Sequence, residues 1–217
     1  MFPRRIENHQ EESFYNLASA QEYAESVKRN SIRYQAFLKK LGSLKLLGRY
    51  LDVGAGTGNL AAMIVKDNPG VEITALEISP EMITVGENYL KNEGIENRVH
   101  FEKGDVLDVN CLDRLGEFDF IYSTFSLHHW KDPKQVIKNL LSILNNEGYL
   151  YLYDLRRVWW LYWIPNDNGF LKSIRAAYVR QEIEEMLCDL DEVEYQILDE
   201  FPFLHSILIR KVNMETR

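Results

Sequence analysis

The stretch Y-L-D-V-G-A-G-T-G-N-L-A, residues 50–61, decides how the chain is read. Small and apolar residues flank Asp52, and Gly54, Gly56 and Gly58 then follow at alternate positions. Each glycine costs conformational entropy on folding, so three together need a mechanical reason. The pattern reads as a short buried strand, a tight turn and the start of a helix. In that setting Gly54 lets the chain leave the strand, and Gly56 leaves room for a ligand against the backbone. Gly58 allows the helix to pack closely on the sheet. The spacing is G-x-G-x-G, one position short of the dinucleotide fingerprint G-x-G-x-x-G. The Gly-Lys-Ser/Thr of a phosphate loop is absent.

Outward from this turn, the hydrophobic period alternates between that of strands and that of helices. Residues 59–68 read as a helix stopped by Pro69 and Gly70, and 71–77 as a strand rich in β-branched residues. Ser79-Pro80-Glu81 is a cap, a proline at the first helical position and an acid in the first turn. That helix should run to about Asn92, closed by Gly94. Residues 98–105, 118–124 and 148–155 read as further strands, with a helix from Asp132-Pro133 to Leu144. Residues 156–170 read as irregular and aromatic, followed by a helix from about Tyr178 to Cys188. Two last strands, 193–200 and 203–212, have no helix between them and must pair antiparallel. The first 47 residues show only helical spacing, in one or two amphipathic helices ending near Gly42. The expected fold is α/β: a Rossmann-like, seven-stranded, mostly parallel sheet with helices on both faces and a C-terminal antiparallel β-hairpin edge.

The composition narrows the function classes. The chain has 217 residues, enough for one domain with a full core. A net charge of -8 disfavours a wide phosphate-gripping face, and so nucleic acid as a partner. Cys111 and Cys188 lack metal or redox spacing, and no metal site is expected. The N-terminus lacks a signal-peptide pattern, and no apolar run is long enough to span a bilayer. A cytoplasmic location is expected.

Two further acids lie at strand ends. Glu77 can accept ribose hydroxyl hydrogens and would repel a 2′-phosphate. Asp105, in Gly104-Asp105-Val106, can accept from an adenine amine while a backbone amide donates to the ring. Turn, ribose acceptor and adenine acceptor thus follow in order at three strand ends.

With these, "LDVGAGTGNLA", "ALEIS", "KGDVLD", "FDFIYSTFSLHHWKDP" and "LNNEGYLYLYD" resemble the class I S-adenosylmethionine-dependent methyltransferases over about residues 48–155. The resemblance implies a methyltransferase domain at 48–217, an N-terminal helical lid at 1–47 and an aromatic-rich cap at about 156–175. It implies S-adenosylmethionine as cofactor and S-adenosylhomocysteine as product. Asp52 would hold the cofactor's ammonium, and Gly54, Ala55 and Gly56 would line its methionine and sugar. Glu77 would bind the ribose, Ile78 would lie against the adenine, and Asp105 and Val106 would read its edge. Ser123 would sit near the sulfonium. Tyr15 and Tyr23 resemble tyrosines placed over the cofactor, and Tyr15 is also a candidate substrate contact.

On the acceptor side, His128 is the candidate base. Arg156, Arg157, Trp159, Trp160 and Trp163 follow the fifth strand on the ligand side, placed to roof a pocket or to form a homodimer patch. The implied reaction is methyl transfer to a small or amphipathic acceptor by in-line displacement. The alternatives are an NAD-dependent oxidoreductase, which shares the glycine turn and the ribose acid, and a non-catalytic S-adenosylmethionine-binding protein.

Overall fold

The computed structural model describes residues 2–5, 16–166, 168–190 and 193–212. Seven strands form one sheet in the order β3-β2-β1-β4-β5-β7-β6. They are β1 Gly48–Val53, β2 Val71–Glu77, β3 Val99–Lys103, β4 Phe118–Thr124, β5 Leu144–Leu155, β6 Val193–Glu200 and β7 Leu204–Lys211. The first five are parallel, and β7 runs antiparallel to both β5 and β6. This is the expected Rossmann-like sheet with its hairpin edge. The strand order reverses between β1 and β4, so their carboxyl ends border the crevice where such sheets bind ligands.

The helices are α1 Leu17–Arg29, α2 Gln35–Leu44, α3 Asn59–Asp67, α4 Pro80–Glu93, α5 Val109–Leu115, α6 Pro133–Ser142, α7 Trp159–Tyr162, α8 Gly169–Ala176 and α9 Arg180–Leu187. A 3₁₀ turn, Ser31–Tyr34, joins α1 to α2. The capping signals act as their chemistry dictates. Ser79 Oγ accepts from the Met82 N–H and Asp132 Oδ1 from the Gln135 N–H, each ahead of a proline. Gly94 ends α4 in the left-handed conformation at φ 69°.

Alternation along the strands divides the core into two layers. One face carries Leu51, Val53, Ile121, Leu150, Leu152 and Ile207, packed against α5, α6 and α9. The other carries Tyr50, Phe120, Tyr122, Tyr151 and Tyr153, covered by α1 to α4. Phe37 of α2 lies flat on Tyr151, with centroids 5.1 Å apart, and also contacts Tyr122 and Tyr153. The N-terminal helices are therefore held over the sheet by aromatic stacking. On the β3 side, the Phe101 ring fills a gap between two glycines. A Cβ on Gly58 would stand 3.0 Å from its Cζ, and a Cβ on Gly86 2.3 Å.

The structure departs from the sequence reading in four places. α5 was not expected, although Asp108 caps it by accepting from Cys111 N–H. α7 and the start of α8 lie inside the stretch read as irregular, α8 behind an Asn168 cap. Strand β5 starts four residues early, at Leu144. Strand β3 is shorter than 98–105 because the chain turns at Gly104, where the Asp108 N–H donates to the Asp105 carbonyl.

Candidate active site

The carboxyl ends of β1 to β5 bring most of the sequence-derived candidates together. After β1, the Gly54 and Ala55 N–H groups both donate to the Leu76 carbonyl, folding the turn back on β2. The Gly56 N–H donates to Glu77 Oε2 at 2.8 Å. Gly56 sits at φ 57°, and a Cβ there would stand 3.7 Å from a ring carbon of Tyr23. A ring carbon of Tyr23 of α1 thus lies over the turn. Tyr15 lies outside the described residues.

Glu77 Oε1 accepts from the Ile78 and Ser79 N–H groups at 2.9 and 3.0 Å. Burial pushes its pKa up, and the Ser79, Gly56 and Ile78 N–H groups oppose that shift. With one N–H on Oε2, that oxygen keeps one lone pair for a further donor. Beyond it stands an apolar shelf. Ile78 is 61% exposed and Leu107 38%, with Val106 half-buried beside them. Asp105 is exposed, and its Oδ1 accepts from the Leu107 N–H at 2.9 Å. The Val106 carbonyl accepts from Asn139 Nδ2.

Asp52 is buried at the centre of the sheet. Burial raises its pKa to about 7; the nearby Tyr122 hydroxyl opposes the shift and the Glu77 charge adds to it. The Tyr122 hydroxyl is close enough to favour the carboxylate but makes no hydrogen bond of good geometry among the described residues. Asp52 is therefore a buried acid with a tyrosine hydroxyl beside it and no cationic partner among the described residues. Ser123 is also buried, and its hydroxyl donates to the Val53 carbonyl at 2.7 Å, tying β4 to β1.

The β4 and β5 ends hold a second polar cluster. His128 is buried, and its Nδ1 lies 2.7 Å from Asp154 Oδ1. Asp154 Oδ2 accepts the His128 backbone N–H at 2.9 Å, and Oδ1 accepts the Leu155 N–H at 2.7 Å. Burial alone would push the Asp154 pKa up. The His128 ring, the His205 ring and these hydrogen bonds outweigh it and hold the pKa below the usual carboxylate range. With Nδ1 donating to Asp154, the lone pair sits on His128 Nε2, which is buried and has no hydrogen-bond partner among the described residues. His205, opposite Asp154 on β7, is buried with no hydrogen-bond partner on either ring nitrogen among the described residues, and desolvation lowers its pKa to about 4.

Sequence reasoning missed Asp154, Phe125, Arg33 and Tyr34 at this end. Phe125 turns the chain after β4 at φ 57°, a conformation uncommon outside glycine that concentrates at functional sites. Arg33 lies over the Phe125 ring at 5.0 Å and donates to the Tyr34 hydroxyl at 3.0 Å. Asp154 had a legible signal, an acid at a strand end like Asp52. Arg33 had none, since a short 3₁₀ turn carries it in from the N-terminal region.

The cap candidates are spread more widely. Arg156 pairs with Asp199 of β6 at 3.1 Å, and buried Arg157 with Glu182 of α9 at 2.6 Å. Trp160 leans towards Phe203, and Trp159 points outward. The chain's first residues bind this cap. Phe2 packs on Tyr162, and Arg4 donates to the Ala176 and His128 carbonyls. Among the described residues, no cluster of His, Cys, Asp and Glu could hold a metal ion, and no helix is long and apolar enough to cross a membrane.

Comparison with known proteins identifies the family and the fold. The model of a methyltransferase domain family matches residues 51–150. An uncharacterised methyltransferase of Staphylococcus carnosus is 34% identical over 170 residues, 77% of this chain and 72% of that protein. The chain belongs to the class I S-adenosylmethionine-dependent methyltransferase family. A demethylmenaquinone methyltransferase of Porphyromonas gingivalis is 32% identical over 125 residues, 57% of this chain and 50% of that protein. The chain spans about half the length of two demethylmenaquinone methyltransferases and a quarter of an uncharacterised Synechococcus protein that it matches. A crystal structure of a SAM-dependent methyltransferase from Aquifex aeolicus superposes with a TM-score of 0.70 at 16% identity, over 90% of this chain and 98% of that one. That likeness is one of fold.

Proposed function

We propose that the chain transfers a methyl group from S-adenosylmethionine to a small apolar or amphipathic acceptor. The observation that carries this reading is Asp52, a buried acid with no cationic partner among the described residues, set beside a glycine turn and Glu77. An ammonium supplies the missing charge, and an amino-acid-bearing nucleoside supplies ammonium and ribose together.

Asp52 takes the ammonium, and Glu77 Oε2 accepts a ribose hydroxyl at its remaining lone pair. Ile78, Val106 and Leu107 flank the adenine, and Asp105 accepts from its amine. Gly54, Ala55 and Gly56 let the backbone approach, and Tyr23 closes over them. Ser123 holds β4 against β1, where the two halves of the site meet. When bound, S-adenosylmethionine supplies an activated methyl group, open to in-line displacement. The protein's work is then alignment and exclusion of water. The N-terminal helices serve as the lid. His128 Nε2 takes the proton from a hydroxyl acceptor, with Asp154 fixing the ring. Arg156 and Trp160 border the acceptor side. The name of the Porphyromonas relative supports an apolar acceptor.

Calorimetry with S-adenosylmethionine, S-adenosylhomocysteine and NADH tests the reading. Micromolar binding of the first two with none of NADH is expected. Silence for both overturns the cofactor assignment, and NADH binding alone points to hydride chemistry.

A further inference from the structure

Residues 2–5 lie far from His128 in the sequence, yet the fold brings them to it across 124 positions. Phe2 packs on Tyr162 of α7, and the Tyr162 hydroxyl donates to the Pro3 carbonyl at 2.9 Å. The Arg5 N–H donates to the Arg175 carbonyl of α8 at 3.0 Å, and the Arg5 guanidinium lies over the Tyr162 ring. Anchors on both sides of Arg4 thus hold its backbone against the cap.

The Arg4 side chain runs on from there to the site. Its guanidinium lies over the Tyr178 ring, 4.0 Å from the centroid. Nε donates to the Ala176 carbonyl, and Nη2 donates to the His128 carbonyl at 2.7 Å. Both acceptors stand where helical structure leaves carbonyls without a donor. Ala176 is the last residue of α8. His128 lies in a 3₁₀ turn, Leu127–His129, whose own hydrogen bonds end on the Ser126 and Leu127 carbonyls. The planar fork of a guanidinium reaches both carbonyls at once, and its charge suits the carbonyl end of α8.

His128 is consequently held at three points. Asp154 accepts its backbone N–H and meets its Nδ1, so both of these contacts act on the N–Cα–Cβ side of the residue. The torsion ψ, which aims the carbonyl, is held by Arg4. On the far side of the ring, Nε2 has no hydrogen-bond partner among the described residues, so none of them corrects a tilt. We propose that Arg4 is a positioning residue for His128. Through the His128 carbonyl it sets the aim of Nε2, and through Ala176 it ties that aim to the seat of the cap. The inference rests on the reading of His128 as the acceptor's base. It adds that the base is aligned only while the cap is docked.

The full chain is isotopically labelled at its histidine nitrogens, and NMR at about pH 8, above the ordinary histidine range, reads which ring nitrogen carries the proton. The signal missing from His128→Gln is that of His128. The wild type should show a proton on Nδ1 and a bare Nε2. Arg4→Met should lower the ratio of the Nδ1–H to the Nε2–H form about fivefold, the factor that loss of one ordinary hydrogen bond brings. Arg4→Lys keeps a donor for the His128 carbonyl and should restore most of the ratio. Arg5→Met removes a cation stacked on Tyr162 instead and should leave the His128 signal as in the wild type. An unchanged His128 signal in Arg4→Met overturns the proposal. So does an equal change in Arg5→Met, which marks general loosening of the cap. A wild-type ring protonated on Nε2 removes the base reading and the proposal with it. Calorimetry with S-adenosylhomocysteine on the same samples should give the same affinity in every variant. Failure of the wild type to bind it removes the methyltransferase reading, while the histidine signals still report on Arg4 separately.

Discussion

Asp52 and Asp154 are both fully buried carboxylates near the carboxyl ends of parallel strands, yet the chain treats them in opposite ways. Asp154 receives the His128 ring and two backbone N–H groups, and its pKa is held down. Among the described residues Asp52 has a tyrosine hydroxyl and no cation beside it, and burial raises its pKa to about 7. The Asp154 carboxylate finds its partners within the protein, and the Asp52 carboxylate has no cation beside it among the described residues. A buried acid with its partners built in positions another residue. A buried acid without them is a receptor for a cation.

Asp154→Ala attacks the partnered carboxylate and should have the largest effect. It strands the His128 ring and two N–H groups in the interior, so a loss of about 3–5 kcal/mol in urea-unfolding stability is expected. A loss under about 1 kcal/mol would remove the distinction between the two ends. His128→Gln should lower kcat about a hundredfold, with S-adenosylhomocysteine affinity unchanged, if Nε2 accepts the acceptor's proton. An unchanged kcat would leave the pair a purely structural bond.

Asp52→Asn should show opposite signs in its two readouts. Cofactor affinity falls by about 2 kcal/mol as the charge-assisted contact is lost. Stability of the free protein at pH 8 rises by about 1–3 kcal/mol, because an uncompensated buried charge is gone. A variant that loses both would make Asp52 an ordinary structural acid.

The smallest effect is on pH dependence. The folded pKa of Asp52 is raised above its ordinary 3.8 to about 7, so the folded chain holds the proton more tightly than the unfolded one. Its contribution to stability is complete below pH about 4 and is lost as pH rises through about 7. Cofactor affinity should move the other way, rising by up to about tenfold per pH unit towards pH 7 and levelling above it. Asp52→Asn should flatten both curves, and a flat wild-type affinity profile would show that binding does not require the carboxylate.

The half of the site nearest β1 to β3 was legible because local chemistry builds it. A glycine turn must bend, Ser79 and Pro80 must start a helix, and Glu77 stands where β2 ends. The half at the ends of β4 and β5 was less legible because long-range geometry builds it. Arg33 reaches Phe125 across 92 positions, and nothing in F-S-L-H-H announces that Phe125 takes a left-handed conformation. His128 was visible as a candidate, but its Asp154 partner lies 26 residues on and follows from the pairing of β4 with β5. The α8 helix was obscured by Gly169, which weakens helical propensity at the position where Asn168 caps it.

Phe101 between Gly58 and Gly86 has a consequence for anyone seeking a hardier protein. A glycine inside a helix is an ordinary first target for replacement by alanine, which stiffens the unfolded chain at no cost in shape. At position 86 that reasoning fails, because the added carbon would stand 2.3 Å from an aromatic ring that also abuts the ligand turn. Replacing Gly86 by alanine should therefore be tolerated only together with a smaller side chain at 101, and the reshaped cavity would be felt at Gly58, where the turn begins its helix.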